Sequence, residues 1–251
     1  MCITLSTKTI FTTICHIYYL NYNMKTLLII IVSFLMPIDR IDRLIIFLKS
    51  FRNKLIRNKN KKAINKFDKK HKPFKLHIGC GNNKKNDWIN IDLTGNPDLK
   101  IDVRFGLPFK DSSCSIIYSE HFLEHLEYPN ESMPFLKECN RVLDKGGVIH
   151  IGVPDSKYVV DSCIQNPIDS EWLKKAKKHN WGYPEDCITG YEFINFHFRL
   201  NGHHKFAFDF STLKSQLERS GFIDVKQRLY DSDLDSLNRA EGTLYVSASK
   251  F

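Results

Sequence analysis

A doubly wound α/β domain with a mostly parallel sheet is what this chain predicts, on three observations. Short apolar runs recur from residue 74 onward, as in a sheet buried on both faces. Stretches with apolar residues every three or four positions alternate with them. The first run ends in the Gly-x-Gly turn of "LHIGCG", at the carboxyl end of a strand, where such folds bind ligands.

In chain order the expected strands are "FKLHIG" (74–79), "WINID" (88–92), "LKIDV" (99–103), "CSIIYS" (114–119) and "VIHIGVP" (148–154). "FIDVKQRLY" and "TLYVSASK" close the chain and bring the number to seven. Within "NESMPFLKECNRVLDKGG" Met133, Leu136, Cys139, Val142 and Leu143 fall at helical spacing, with Gly146 and Gly147 as the expected stop. "DFSTLKSQLERSGF" predicts another helix, Ser211 as N-cap and Gly221 at the C-terminal position. Only residues 82–87 separate the first turn from the second strand, whereas a parallel crossover normally takes a dozen or more. The first crossover helix is therefore expected to shrink to a turn, with Asn82 and Asn83 replacing helix-end N–H groups around a ligand.

The organisation expected is a segment 1–71 ahead of a domain 72–251. Between Thr9 and Ile38 the one full charge is Lys25, and the run "LLIIIVSFLM" (27–36) is too short to span a bilayer by itself. After it, Leu44, Ile45, Leu48, Phe51, Leu55 and Ile56 lie at helical spacing among Arg and Lys, which predicts that residues 24–58 lie on an anionic membrane surface. Met24 begins a more conventional N-terminus, so 1–23 is expected to stand apart from the working protein. The net charge of +9 is local: residues 39–72 hold 13 Lys/Arg against 3 Asp/Glu, leaving 24 basic against 25 acidic elsewhere. A nearly neutral domain argues against nucleic-acid binding. The 7 cysteines are scattered, with no Cys-x-x-Cys and no zinc-like Cys/His spacing. They predict free thiols in a reducing compartment, a cytoplasmic location at the inner face of a membrane, and no metal ligand set.

Gly79, Cys80 and Gly81 form a cradle in which backbone N–H groups can approach a ligand, although Lys84 stands where a dinucleotide fingerprint wants its third glycine. Asp92, closing the second strand, is placed to accept two ribose hydroxyls, and Asp102, closing the third, an exocyclic amine such as adenine N6. Cradle, diol acceptor and adenine acceptor match the three parts of S-adenosylmethionine. Residues 74–155, and more loosely the chain to 251, resemble the class I S-adenosylmethionine-dependent methyltransferases, nearest the type 11 group. "LHIGCG", "WINID", "DVRFGLPFKDSSCSIIYSEHFLEHL" and "KECNRVLDKGGVIHIGVPD" carry the resemblance, in the family's order. It implies a Rossmann-like seven-stranded sheet with an antiparallel last strand and S-adenosylmethionine as cofactor. By matched position it implies cofactor contacts at Gly79, Cys80, Gly81, Asp92, Asp102, Val103, Ser119 and Glu120, with His121 at the pocket edge. His77 occupies the place of the family's usual acid, as a cofactor contact or as a buried hydrogen-bonded histidine.

Transfer to a hydroxyl needs a base. Glu120, His121, Glu124 and His125 of "SEHFLEHL", Asp155, and His203 and His204 of "NGHHKF" are the candidates. Glu124 and His125 are expected on a helix, in capping or solvated roles; Asp155 equally fits an N-cap, and the histidine pair a loop tether. Residues 155–205 form a lid-like insertion carrying Trp172, Trp181, Tyr183, Tyr191, Phe193, Phe196 and Phe198, able to stack on an acceptor or to build a satellite core. The expected acceptor is a small molecule or a glycan, through a hydroxyl oxygen. Two rivals remain. A nicotinamide-dependent reductase lacks its third glycine and a Tyr-x-x-x-Lys pair here; a non-catalytic adaptor keeps the fold without turnover.

Overall fold

The computed structural model describes residues 38–64, 73–165, 174, 184 and 187–251. The apolar run 27–36, Cys2, Cys15, Trp172, Trp181 and Tyr183 lie outside the described residues. The chain divides into two compact units, Met1–Leu55 and Ile56–Phe251. Helix α1 covers Ile38–Ile64. In the first unit its Ile46, Phe47, Leu48 and Phe51 are exposed, and the rings of Phe47 and Phe51 stack at 6.4 Å. Among the described residues no helix is long and apolar enough to cross a membrane.

The second unit holds seven strands, β1 (Phe74–Ile78), β2 (Ile89–Asp92), β3 (Leu99–Lys100), β4 (Cys114–Glu120), β5 (Leu143–Pro154), β6 (Phe222–Arg228) and β7 (Thr243–Lys250), in the order β3-β2-β1-β4-β5-β7-β6. β1 to β5 pair in parallel, and β7 runs antiparallel to both its neighbours. Leu76, Ile78, Ile91 and Ile117 are buried between strand and helix layers, which is why these runs read as continuous apolar segments. β3 is shorter than expected because Val103 already begins a 3₁₀ turn, Val103–Phe105, capped by the Asp102 side chain.

Helix α2 (Ser132–Val142) buries Met133, Phe135, Leu136, Cys139 and Val142 on one stripe. It stops at Val142, four residues before the glycine pair. Those glycines belong instead to an irregular start of β5, where pairing with β4 jumps from Cys114–Leu143 to Ile116–Val148. A Cβ on Gly147 would lie 2.9 Å from the Asp144 carbonyl oxygen, so the irregularity needs glycine. Helix α3 (Ser156–Gln165) packs on α4 (Gly190–Arg199). Val159, Cys163, Cys187, Phe193 and Ile194 make a separate small core there, joined by Phe198. For Phe193 and Phe198 the satellite-core reading holds, while Tyr191 is 71% exposed. Helix α5 (Phe210–Arg219) is capped by Asp209, which accepts from the Thr212 N–H at 2.8 Å. Ser211 is therefore not the N-cap; it donates to Asp209. Gly221 follows the helix at φ +91°.

The first crossover is a turn without a helix, as the short spacing predicts. The turn is tied down by buried Asn90, which accepts from His77 Nδ1 (3.1 Å) and the Lys85 N–H (2.8 Å) and donates to Asp98 (2.7 Å). One buried amide thereby satisfies the polar groups around it.

Candidate active site

Gly79 and Cys80 both donate their N–H groups to the Ile91 carbonyl, at 2.9 and 3.3 Å, which pins the turn after β1 to the end of β2. Asp92 completes the clamp by accepting from the Gly81 N–H at 2.8 Å. Its other oxygen accepts from the Thr94 N–H (2.8 Å) and hydroxyl (3.0 Å). A carboxylate offers about four lone-pair sites, so Asp92 retains acceptor capacity beside the loop it holds. Gly79 sits at φ +75°, and a Cβ there would come 2.7 Å from Phe122 Cβ. Gly81 is also left-handed, φ +51°, but a Cβ there would meet nothing within 4 Å, so it opens onto free space. Gly95 closes the floor, since a Cβ there would lie 2.4 Å from the Gly81 carbonyl oxygen.

A cavity of about 510 Å³ runs over this loop, walled by Gly79, Asp92, Asp102 and Val103 on one side and by His121, His125 and His203 on the other. Asp102 is present but occupied: Arg104 grips it through Nε (2.9 Å) and a second guanidinium nitrogen (2.7 Å). Behind the loop a polar cleft of about 560 Å³ includes His77, Cys80, Lys85, Tyr118 and Glu120. His77 is buried against Tyr118, and burial pushes its pKa down to about 4. It is buried and hydrogen-bonded to Asn90 and also lines the cleft beside the glycine loop. Burial also raises the Cys80 thiol to about 11, which leaves it inert.

Glu120 lines that cleft together with Gly79, Gly81 and Asp92, and its carboxylate is held by the C-terminal segment. One of its oxygens accepts from the Tyr245 hydroxyl and the Ser236 N–H (3.2 Å each), the other from the Ser236 hydroxyl (2.5 Å). A buried carboxylate with three donors fastens the C-terminal segment to the end of β4. Ser119 is 1% exposed and lines neither cavity. Asp155 accepts from the N–H groups of Lys157 (3.0 Å) and Tyr158 (3.2 Å), so it caps α3 and is absent from the cavity walls. These are the contacts expected of Asp155 as an N-cap.

The histidines converge around a residue the sequence assigns to capping or solvation. Glu124 lies on a 3₁₀ turn, Leu123–His125, is 1% exposed, and neither of its oxygens accepts a hydrogen bond among the described residues. Its Oε1 stands 3.7 Å from His121 Nδ1 and 3.8 Å from His125 Nε2. Burial raises its pKa to about 8. The same burial lowers His204 to about 4 and holds His121 well below the ordinary imidazole value. His121 adopts φ +51°, a left-handed conformation costing an L-residue roughly 1–2 kcal/mol. That strain points its ring into the cluster. Of the histidine pair, His203 lines the cavity of about 510 Å³. His204 instead turns inward, its ring 5.2 Å from that of His125. Sequence reading missed His197, whose ring lies 6.0 Å from His204, and Gly95. "TGNPD" just after Asp92 was the available signal for the glycine; nothing in "INFHFRL" marks His197.

Residues 93–151 match the family model of a methyltransferase domain. The match begins just past Asp92, so the glycine loop stands outside it and extends the agreement independently. No curated protein matches the chain. Among solved structures it is similar to an S-adenosylmethionine-dependent methyltransferase, possible histamine N-methyltransferase, of Thermotoga maritima, with 14% identity, TM-score 0.43, and 82% and 97% of the two chains covered. It is also similar to an S-adenosylmethionine-dependent methyltransferase of Archaeoglobus fulgidus, with 21% identity, TM-score 0.42, and 82% and 99% covered. A third is phosphoethanolamine N-methyltransferase 2 of Haemonchus contortus in complex with S-adenosylmethionine, with 12% identity, TM-score 0.41, and 77% and 52% covered. The family match over residues 93–151, the sheet order and the glycine loop clamped by Asp92 all agree with an S-adenosylmethionine-dependent methyltransferase domain. The open space above Gly81 and the acceptor capacity of Asp92 fit that cofactor.

Proposed function

We propose that this enzyme methylates a hydroxyl oxygen of a small-molecule or glycan acceptor, with His203 as the base. The observation behind this reading is the cavity of about 510 Å³ that joins Gly79, Asp92 and Asp102 to His121, His125 and His203. Bound S-adenosylmethionine supplies an electrophilic methyl group. The chain's own part is to hold the ribose at Asp92, wall the adenine between Leu93 and Val103, and take the proton of the acceptor hydroxyl. His203 is suited to the last task because it is exposed in the cavity wall, whereas His121 is engaged by Thr243 at 2.8 Å and His204 by the His197 carbonyl at 2.8 Å. The exposed Tyr191 on the 155–205 segment offers a sugar ring a stacking face. The exposed apolar residues of α1, set among Arg and Lys, support contact of residues 24–58 with an anionic membrane surface.

Mass spectrometry of ligand released from purified protein, followed by single-turnover transfer against pH, tests the reading. His203→Ala is expected to lower turnover about 100-fold with cofactor affinity nearly unchanged. A near-normal rate removes His203 as base; release of a nicotinamide, or of no ligand from a protein that also binds no added S-adenosylmethionine, overturns the whole reading.

A further inference from the structure

Three side chains from two distant stretches of sequence meet behind the cavity. Glu124 and His125 come from the turn after β4, His204 from the loop after α4. Their ligating atoms lie within 4.8 Å of one another. We propose that Glu124, His125 and His204 bind one divalent transition-metal ion of the zinc class. The sequence predicts no metal because its donors are not close in sequence; the fold assembles them.

Three features of the cluster support this. The first is tautomer control. A backbone carbonyl can only accept, so His125 must donate from Nδ1 to the His203 carbonyl (3.0 Å), and His204 from Nδ1 to the His197 carbonyl (2.8 Å). As neutral rings, both then present the Nε2 lone pair. This is the outer-shell arrangement that orients histidine ligands on a metal. The second is Glu124, whose carboxylate is buried without a hydrogen-bond donor among the described residues and faces those nitrogens. A buried carboxyl group without a donor either keeps its proton or coordinates a metal, which displaces that proton. His121 supplies no proton either. The Thr243 hydroxyl donates to the Arg239 carbonyl (2.5 Å), so it accepts from His121 Nε2, and His121 Nδ1 toward Glu124 is another lone pair.

The third is distance. At 3.7 and 3.8 Å, the approaches of His121 and His125 to Glu124 Oε1 are too long for hydrogen bonds. Two ligands each about 2.0–2.2 Å from one zinc ion stand at most about 4 Å apart, so the His125 spacing suits a shared ion better than a shared proton. Two histidines and a carboxylate are a donor set that zinc accepts with a coordination position left open. His125 also borders the large cavity, which puts the ion in the wall shared with the acceptor end. The site is independent of the acceptor reading, because metal binding is measured without cofactor or acceptor.

The test is metal content. Full-length protein is stripped with chelator, loaded with zinc chloride, desalted and analysed by inductively coupled plasma mass spectrometry, alongside Glu124→Gln and His204→Gln. Wild type is expected to retain about one ion per chain, and each variant to bind at least about 10-fold more weakly. Cobalt loading of wild type alone gives a second readout. Nitrogen and oxygen ligands produce visible d–d bands without thiolate charge transfer, so the result stands even where a variant fails to fold. Wild type that retains no zinc, variants that retain as much as wild type, or a thiolate-type cobalt spectrum each overturn the proposal.

Discussion

Asp92 is the residue whose removal probes the cofactor site most directly. Its carboxylate accepts from the Gly81 N–H (2.8 Å), the Thr94 N–H (2.8 Å) and the Thr94 hydroxyl (3.0 Å), and it borders the cavity of about 510 Å³. Asp92→Ala removes the clamp on the glycine loop and the acceptor proposed for the ribose at once. Hydrogen bonds to charged groups contribute about 1.5–3 kcal/mol. The expected loss of S-adenosylmethionine affinity is therefore roughly 10- to 100-fold, or about 1.4–2.8 kcal/mol. Asp92→Asn separates the two roles: its carbonyl oxygen can still accept from Gly81, while the anionic acceptor for the ribose is gone. Isothermal calorimetry with S-adenosylmethionine and its demethylated product reads both variants, with circular dichroism as the folding control. If Asp92→Ala is folded and binds as tightly as wild type, Asp92 is only a loop clamp and the proposed ribose contact is refuted.

Gly79→Ala forces a side chain into φ +75° and to within 2.7 Å of Phe122 Cβ. A loss of at least about 2 kcal/mol is expected in urea unfolding, and an unchanged midpoint speaks against the close approach. His77 is depressed from 6.5 to about 4. Its stabilising share is complete above pH 6.5 and is lost as pH falls through about 4, at most about 3 kcal/mol. Wild type should then lose more stability than His77→Gln between pH 7 and 4, and parallel stability curves contradict this. A chain beginning near Lys72 should bind cofactor yet no longer sediment with acidic liposomes. Equal sedimentation of both forms removes the proposed membrane contact.

The central strands were legible because their runs are mostly apolar and buried on both faces. "TLYVSASK" coincides with β7, and "FKLHIG" and "CSIIYS" miss their strands by one residue at an end. The missing crossover helix was legible for an equally local reason: residues 82–87 cannot contain one. Helix boundaries were less so. Asp209 and Ser211 are both good caps, and choosing between them depends on which reaches the Thr212 N–H, a matter of backbone geometry. Gly146 and Gly147 read as a helix stop because glycine marks both helix ends and strand irregularities. Only the pairing jump against β4 distinguishes the two.

The side-chain site divides along the same line. Gly79, Gly81 and Asp92 could be placed from sequence because a strand end fixes where its next residues point, so position along the chain is nearly position in the site. Glu124 could not. Helical spacing assigned it to solvent, but the stretch forms a single 3₁₀ turn, closed by the His125 N–H on the Phe122 carbonyl (3.0 Å). That turn rotates the carboxylate inward. The partner that completes its surroundings, His204, is placed by the left-handed residues Leu200 and Asn201 at φ +37° and +53°, which reverse the chain after α4. Lys205 then donates to the Glu124 carbonyl at 2.7 Å and locks the two loops together. No window of sequence contains both halves of that contact. A cluster assembled by two non-repetitive turns leaves no periodic signal, and the chemistry of Glu124 becomes visible only when its missing hydrogen-bond donors are counted in three dimensions.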